Sequence, residues 1–200
     1  MTTTSGSAWE SSPASNDPRF NELIAALRRA QDAIAAAAAP NDVLDAATER
    51  LREVADALSP YAVAEADRAF GHRPDLPGRG QAMAPAVMID SQTSDEVRGR
   101  VTISHFYLGG GGAAHGGVPP LVWDEILGRL ANSGGRTRSR TAYLHVDYRS
   151  VTPIDEELTF DGRFDRVEGR KRFLSGRMYR GEVLVSEASG LFVELRLGQP

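Results

Sequence analysis

The sequence predicts an α+β fold in which an antiparallel β-sheet wraps around a central α-helix, with an N-terminal helical extension. Three observations indicate this fold class. Apolar residues recur at helical spacing up to about residue 70, a segment rich in proline and glycine follows, and strand-like segments then flank one apolar helix. Helices and strands that are segregated rather than regularly alternating are typical of α+β proteins.

Two amphipathic helices are predicted in the N-terminal part of the chain. Asp17-Pro18 is a favourable helix start, because a capping carboxylate precedes a proline at the first helical position, and the apolar spacing continues to Pro40. A second start at Asn41-Asp42 leads into a similar pattern that closes at Ser59-Pro60. The short connection favours a helical hairpin that serves packing or dimerisation.

The predicted organisation follows from these changes of pattern. It comprises a disordered N-terminus (1–17), a helical hairpin (18–70), a linker (71–80) and the main domain (81–200). The N-terminus is small and polar and lacks the basic start and apolar block of a signal peptide, and the run Ala35–Ala39 is too short to span a bilayer. We therefore expect a cytoplasmic protein.

The main domain begins with strand-like and glycine-rich segments. Val97–Ser104 alternates as a strand, and a glycine loop at Gly109–Gly112 leads into His115-Gly116-Gly117. An apolar helix is predicted from about Val118 to Asn132, with two prolines in its first turn, where missing N–H donors do least harm. Four strand-like segments follow, at Thr141–Tyr148, Leu158–Val167, Arg172–Arg180 and Val183–Leu195.

Composition excludes several classes of function. The 200 residues are 41% hydrophobic and 25% charged, as in an ordinary globular protein. With a net charge of −4 the chain has no basic field, so we expect no nucleic-acid or membrane partner, and the arginines at 136, 138 and 140 are interpreted as a solvated loop or strand end. The absence of cysteine excludes a thiol nucleophile, and four scattered histidines argue against a zinc site.

The His-Gly-Gly segment before the apolar helix is the clearest chemical signal. A helix start offers unpaired backbone N–H groups and a positive dipole end, both of which stabilise an oxyanion. Asp124 on the same helix could aim a water at a carbonyl, and its apolar neighbours in sequence predict buried surroundings that raise its pKa. Glu125 is a rival, but adjacent helix residues point about 100° apart, so both cannot face one substrate. We favour Asp124, and the pairing indicates acyl transfer to water.

Four segments in this order resemble the hotdog-fold acyl-CoA thioesterases, and more narrowly the PaaI-like branch of the thioesterase superfamily. They are His115-Gly116-Gly117 with Asp124-Glu125, then Thr141–Tyr148, Glu168–Lys171 and Ser186–Val193. The resemblance covers roughly residues 78 to 195 and leaves the N-terminal helices outside. It implies a hotdog fold and a hydrolase that converts a fatty or aryl acyl-CoA thioester to free acid and coenzyme A.

The resemblance also implies catalytic roles. Gly116 matches the position whose N–H polarises the thioester carbonyl, and Asp124 matches the carboxylate that acts as general base or nucleophile. Thr141 matches the hydroxyl residue that orients the water or the carboxylate. His115 is counted with this group, although we expect it to bond the loop or touch substrate rather than transfer a proton.

Substrate binding and assembly are implied in the same way. Gly117 would contact substrate, and Arg170 and Lys171 match positions that meet the phosphates of coenzyme A. No metal or other cofactor is implied, because coenzyme A is part of the substrate. Subunits of this family pair so that their sheets join, which implies a homodimer or homotetramer in which glycine donors from one protomer face Asp124 and Thr141 of the other.

The chain departs from the family pattern in the loop before His-Gly-Gly. Relatives often carry asparagine or proline there, whereas this loop is Gly109–Gly112, so an asparagine that would place the water is absent. This departure keeps open a second hypothesis, a non-catalytic acyl-CoA-binding or scaffold protein of the same fold. A third hypothesis is a hotdog dehydratase, which His105-Phe106 and the following glycine-rich loop suggest. In those dehydratases, however, the paired histidine and carboxylate are closer in sequence than His105 and Asp124 are here.

Overall fold

A six-stranded antiparallel sheet covers one long apolar helix in the computed structural model, which describes residues 18–199. The α-helices are α1 (Pro18–Ala36), α2 (Asn41–Leu58) and α3 (Val118–Ala131). The strands are β1 (Val87–Gln92), β2 (Glu96–Thr102), β3 (Leu108–Gly110), β4 (Ala113–Ala114), β5 (Ser139–Tyr148), β6 (Glu157–Glu168), β7 (Lys171–Arg180) and β8 (Val183–Glu194). Short 3₁₀ helices lie at Ser59–Tyr61, Glu65–Asp67, Pro77–Gly80 and His105–Tyr107.

The sheet has the order β1-β2-β6-β7-β8-β5, and β3 and β4 form a separate two-stranded ribbon before α3. Helix α3 contacts all six strands. The predicted α+β arrangement of an antiparallel sheet around a central helix is therefore confirmed. The predicted strands and helix are present with bounds that differ by one or two residues, while β1 and the short strands β3 and β4 were not predicted.

The core lies between α3 and the inner face of the sheet. Trp123 is fully buried, and its ring packs over Gly176 of β7, where an added Cβ would lie only 2.4 Å from the ring. The indole Nε1 donates a hydrogen bond of 3.0 Å to Ser186 Oγ on β8. Since a buried indole needs a hydrogen-bond acceptor, this pair fixes the rotation of α3 against the sheet.

Both N-terminal helices form as predicted, but they do not pack together as a hairpin. Helix α1 docks on the 3₁₀ helix at His105–Tyr107 and buries Ile24, whereas every residue of α2 is exposed. Amphipathic spacing shows which residues share a face and not what covers that face. The disordered segment predicted at 1–17 lies outside the described residues.

The segment predicted as a linker, 71–80, is packed against the rest of the chain and continues into a buried stretch. Arg73 and Gln81 are buried, and Arg28 of α1 donates a hydrogen bond of 3.0 Å to the Ala84 carbonyl. Gly78 and Gly80 adopt positive φ angles of 57° and 65° in tight surroundings. These contacts join the N-terminal extension to the main domain. Among the described helices, none has the length and hydropathy needed to cross a bilayer.

Candidate active site

The structure brings Asp124 and Thr141 together. Asp124 lies on the side of α3 turned away from the core, and Thr141 lies near the start of edge strand β5. The Thr141 hydroxyl donates a hydrogen bond of 2.8 Å to Asp124 Oδ1. The other carboxylate oxygen, Oδ2, has no hydrogen-bond partner within residues 18–199, so it is available to a water or a substrate.

The apolar surroundings predicted for Asp124 are absent from the single chain, where the residue is exposed. Its apolar neighbours in sequence, such as Val122 and Trp123, point into the core instead. Residues adjacent on a helix project in directions about 100° apart, so sequence neighbours do not form the environment of a side chain. That sequence-based expectation was wrong for this reason.

The start of α3 leaves one backbone donor unused. The Gly117 N–H donates to His115 Nδ1 at 3.1 Å, and the Val118 N–H donates to the His115 carbonyl at 2.9 Å. The next two residues are prolines, which have no N–H. The Gly116 N–H finds no acceptor in the described part of the chain, and the space beside Gly116 is open. A free amide at a helix start can stabilise an oxyanion.

Two further contacts shape this helix start. The Tyr148 hydroxyl at the end of β5 donates to the Gly116 carbonyl, which fixes the peptide that follows Gly116. His115 Nδ1 accepts a hydrogen bond, so in the neutral ring the proton lies on Nε2, which is exposed with the rest of the side chain. The role of Tyr148 was missed at the sequence level, because no local pattern links it to a residue 32 positions away.

Gly116 and Asp124 are not brought together within one chain. Eight residues separate them along α3 and its entry, which corresponds to roughly 12 Å at the helical rise. A single thioester carbonyl cannot contact a donor and a carboxylate at that separation. Within one chain, the Gly116 N–H and the Asp124–Thr141 pair therefore cannot act on the same carbonyl.

The Asp124–Thr141 pair opens into a pocket of about 370 Å³. It is lined by α3, by the start of β5 and by the segment that precedes β1, which contributes Phe70 and Met83. Arg138 and Arg140, interpreted from sequence as a solvated loop or strand end, also line it, and their guanidinium groups have no side-chain partner in residues 18–199. The contribution of Phe70 could not be predicted from the sequence, because it depends on contacts between residues far apart in the chain.

Glu125, the rival carboxylate, is committed to an ion pair. Arg79 donates through Nε to Glu125 Oε1 and through Nη2 to Oε2, the latter at 2.7 Å, and the Glu125 side chain is only 10% exposed. Burial lowers the pKa of the nearby Arg129, and the Glu125 carboxylate partly opposes that shift. Glu125 is therefore engaged structurally, which leaves Asp124 as the available carboxylate on this part of α3.

The predicted phosphate ligands lie at the turn between β6 and β7, outside the residues that line the pocket. Arg170 donates a hydrogen bond of 2.8 Å to the Glu194 carbonyl, while the Lys171 ammonium has no partner in the described residues. Lys171 pairs with Val193, which pairs with Arg140 of β5. Paired residues share a sheet face, so Lys171 and Arg140 lie on one face about 10 Å apart.

No group of three metal-ligating side chains occurs in residues 18–199. The third sequence hypothesis, a dehydratase, rested on His105. This residue lies in the 3₁₀ helix against α1 and is not among the residues that line the pocket with Asp124.

Comparison with known proteins identifies the family. Residues 111–187 match the profile of the thioesterase superfamily. A crystal structure of a thioesterase superfamily protein is 31% identical and superposes with a TM-score of 0.76, covering 92% of this chain and 94% of that one. The chain therefore belongs to the thioesterase superfamily and has the hotdog fold.

Individual relatives match shorter segments. Bovine (Bos taurus) acyl-coenzyme A thioesterase THEM4 is 36% identical over 86 residues, which cover 42% of this chain and 35% of that protein. A putative esterase from Pseudomonas aeruginosa is 35% identical over 85 residues, covering 41% and 63% respectively. The match thus spans about a third of the bovine enzyme. A Streptococcus pneumoniae thioesterase-like protein, solved with coenzyme A, shares the fold at 19% identity with a TM-score of 0.51, covering 54% of this chain and 86% of that one.

Proposed function

We propose that the protein is an acyl-CoA thioesterase that hydrolyses a fatty or aryl acyl-CoA to free acid and coenzyme A. This proposal rests on the hydrogen bond between Thr141 and Asp124, which lies in a pocket. Asp124 belongs to α3, and the Gly116 N–H just before α3 has no acceptor in the described residues. Membership of the thioesterase superfamily and the local identity to an acyl-CoA thioesterase support it.

The reaction requires a nucleophile, an oxyanion donor and a path for one proton. As a general base, Asp124 removes a proton from water while the water oxygen bonds to the thioester carbon; as a nucleophile, it forms a mixed anhydride that water then cleaves. In both routes the carbonyl oxygen becomes an oxyanion that accepts a hydrogen bond from the Gly116 N–H. The carbon–sulfur bond then breaks and the coenzyme A sulfur leaves. In the general-base route the sulfur takes up the proton that Asp124 removed from water, whereas in the nucleophilic route it takes up a proton from solvent before water cleaves the anhydride. Thr141 holds the carboxylate in one orientation throughout.

A homodimer or homotetramer supplies the complete site. Gly116 of one protomer would face Asp124 and Thr141 of another, consistent with their separation within the chain. Strand β5 lies at the edge of the sheet and carries Thr141, and an edge strand presents unpaired backbone N–H and C=O groups that can join a second sheet. Pairing through β5 would place the two α3 helices on the same side of a continuous sheet.

Substrate contacts outside the reacting carbonyl are expected from the positive charges at the turn between β6 and β7. Lys171 and the remaining donors of Arg170 are exposed and suited to coenzyme A phosphates. His115 and Gly117, joined by their own hydrogen bond, would border the thioester as a substrate-contacting loop. The mechanism uses no metal or other cofactor.

The test is release of free thiol from a panel of acyl-CoAs, from acetyl to palmitoyl and including benzoyl and phenylacetyl. We expect Asp124→Ala to lower kcat at least about 100-fold with unchanged folding, because a general base or nucleophile contributes that much or more. Asp90→Ala removes an exposed carboxylate of β1 and serves as the matched control. Equal rates for wild type and Asp124→Ala would contradict the assignment of Asp124.

A non-catalytic acyl-CoA-binding protein is the second candidate, and the glycine loop favours it. Residues 109–112 are all glycine and exposed, so this loop offers no side-chain amide to place a water. Binding of coenzyme A by the wild type without thiol release from any acyl-CoA in the panel would establish this alternative.

A further inference from the structure

The packing of the chain does not require the glycine found in the middle of α3. Gly128 lies one helical turn after Asp124 and therefore on the same face of the helix. An added Cβ at Gly128 would meet only Phe192 at 3.6 Å, which is ordinary van der Waals contact. A mid-helix glycine destabilises a helix relative to alanine. Because residue 128 has no side chain, the space beside it and next to Asp124 is open, although glycine makes the helix less stable than alanine would.

Two exposed apolar side chains from the segment that precedes β1 line the same pocket. Phe70 is 45% and Met83 67% exposed in the chain, and both line the pocket together with Asp124 and Gly128. Exposed large apolar side chains beside a reacting group are typical of surfaces that a ligand covers. Both precede β1 in the chain, whereas Asp124 and Gly128 belong to α3.

The segment that carries these two residues is fixed in place. Arg79 binds Glu125 of α3 with two donors and the Gly71 carbonyl with a third, at 2.8 Å. Arg79 holds a left-handed φ of 59°, which disfavours a residue with a side chain unless its contacts impose it. The Gln81 side-chain oxygen accepts hydrogen bonds from the backbone N–H groups of Met83 and Ala84, which orders the backbone at Met83.

We propose that the acyl group lies over Gly128, between α3 and a wall formed by Phe70 and Met83, and that these three residues select its size. The inference rests on the proposed function, since it needs Asp124 to be the reacting carboxylate. An apolar acyl group would cover Phe70 and Met83 and occupy the volume that a side chain at position 128 would fill. Phe70, which belongs to the N-terminal extension and lies outside the region of family resemblance, is thereby part of the substrate site.

The experiment measures kcat/KM for acyl-CoAs of increasing length, together with aryl-CoAs, in wild type, Gly128→Ala and Gly128→Leu. Gly128→Ala is expected to raise Tm by about 2 °C, because alanine favours the helix, while kcat/KM falls more for the longest acyl-CoA than for the shortest. In Gly128→Leu this difference in loss should reach at least tenfold. A uniform loss, or no loss, across the panel would overturn the inference.

The wall is tested separately. Phe70→Ala and Met83→Ala should raise KM for long and aryl acyl-CoAs by at least about threefold relative to the shortest substrate, since buried apolar contact is lost. Val63→Ala is the matched control, because Val63 is an exposed apolar residue of the same extension that does not line the pocket. Unchanged selectivity with intact hydrolysis contradicts the inference alone, whereas a wild type that hydrolyses nothing contradicts the proposed function and the inference with it.

Discussion

At the scale of single residues, the division of work between Asp124 and Glu125 is decided by their partners. Both are acidic and adjacent, yet Glu125 is tied to Arg79 while Asp124 accepts one hydrogen bond and keeps a free oxygen. The sequence favoured Asp124 through family resemblance and helix geometry. It could not show why Glu125 is unavailable, because its partner Arg79 lies 46 residues away and no local pattern links the two residues.

Thr141 provides a prediction at this scale. Thr141→Val removes the hydroxyl that orients Asp124 with little change in shape, so kcat should fall about tenfold to a hundredfold with KM nearly unchanged, as expected for a hydrogen bond to a charged group. Thr141→Ser keeps the hydroxyl and should retain most of the rate. The measurement is steady-state thiol release, and equal rates for the valine and serine variants would exclude an orienting role.

At the scale of elements, the sequence predicted what depends on local pattern. The helical spacing of apolar residues predicted α1 and α2, the two adjacent prolines predicted the start of α3, and strand-like patterns predicted four long strands. Strand β1 was missed because only Val87 in it is buried, so it lacks the alternation of a half-buried strand. The packing of segment 71–80 was missed because it is stabilised by single contacts from distant residues, such as those of Arg28 and Arg79.

The ion pair between α3 and this segment gives the prediction at the element scale. Glu125→Gln removes the carboxylate charge that pairs with the largely buried Arg79 guanidinium, and we expect the free energy of unfolding to fall by about 2 kcal/mol. Glu49→Gln is the matched control, because Glu49 pairs with Arg52 on exposed α2 and such pairs contribute less than about 0.5 kcal/mol. Urea denaturation compares the two variants, and equal losses would show that the Arg79 pair does not hold the segment.

At the scale of the whole molecule, the Gly116 N–H lies just before α3, whereas the Asp124–Thr141 pair lies roughly 12 Å further along the helix. The resemblance to thioesterases implied sites shared between subunits, and this separation within the chain supports that proposal. The sequence alone could not identify the Gly116 N–H as the free donor. Several backbone N–H groups lie near the start of α3, and only the structure shows which of them have acceptors.

Shared sites predict that two inactive variants restore activity when combined. Gly116→Pro removes the oxyanion donor and Asp124→Ala removes the carboxylate, so each homodimer should be inactive. After subunits exchange at equal concentrations, half of the dimers are mixed and each contains one intact site, which gives about a quarter of wild-type kcat. Mixing Asp124→Ala with Thr141→Val is the control, because both changes affect the part of the site that carries the carboxylate. In a mixed dimer one site then contains Asp124→Ala and the other contains Thr141→Val, so neither site is intact. Thiol release is measured before and after subunit exchange. If each site were formed within a single chain, neither mixture would recover activity, and the prediction of shared sites would be wrong.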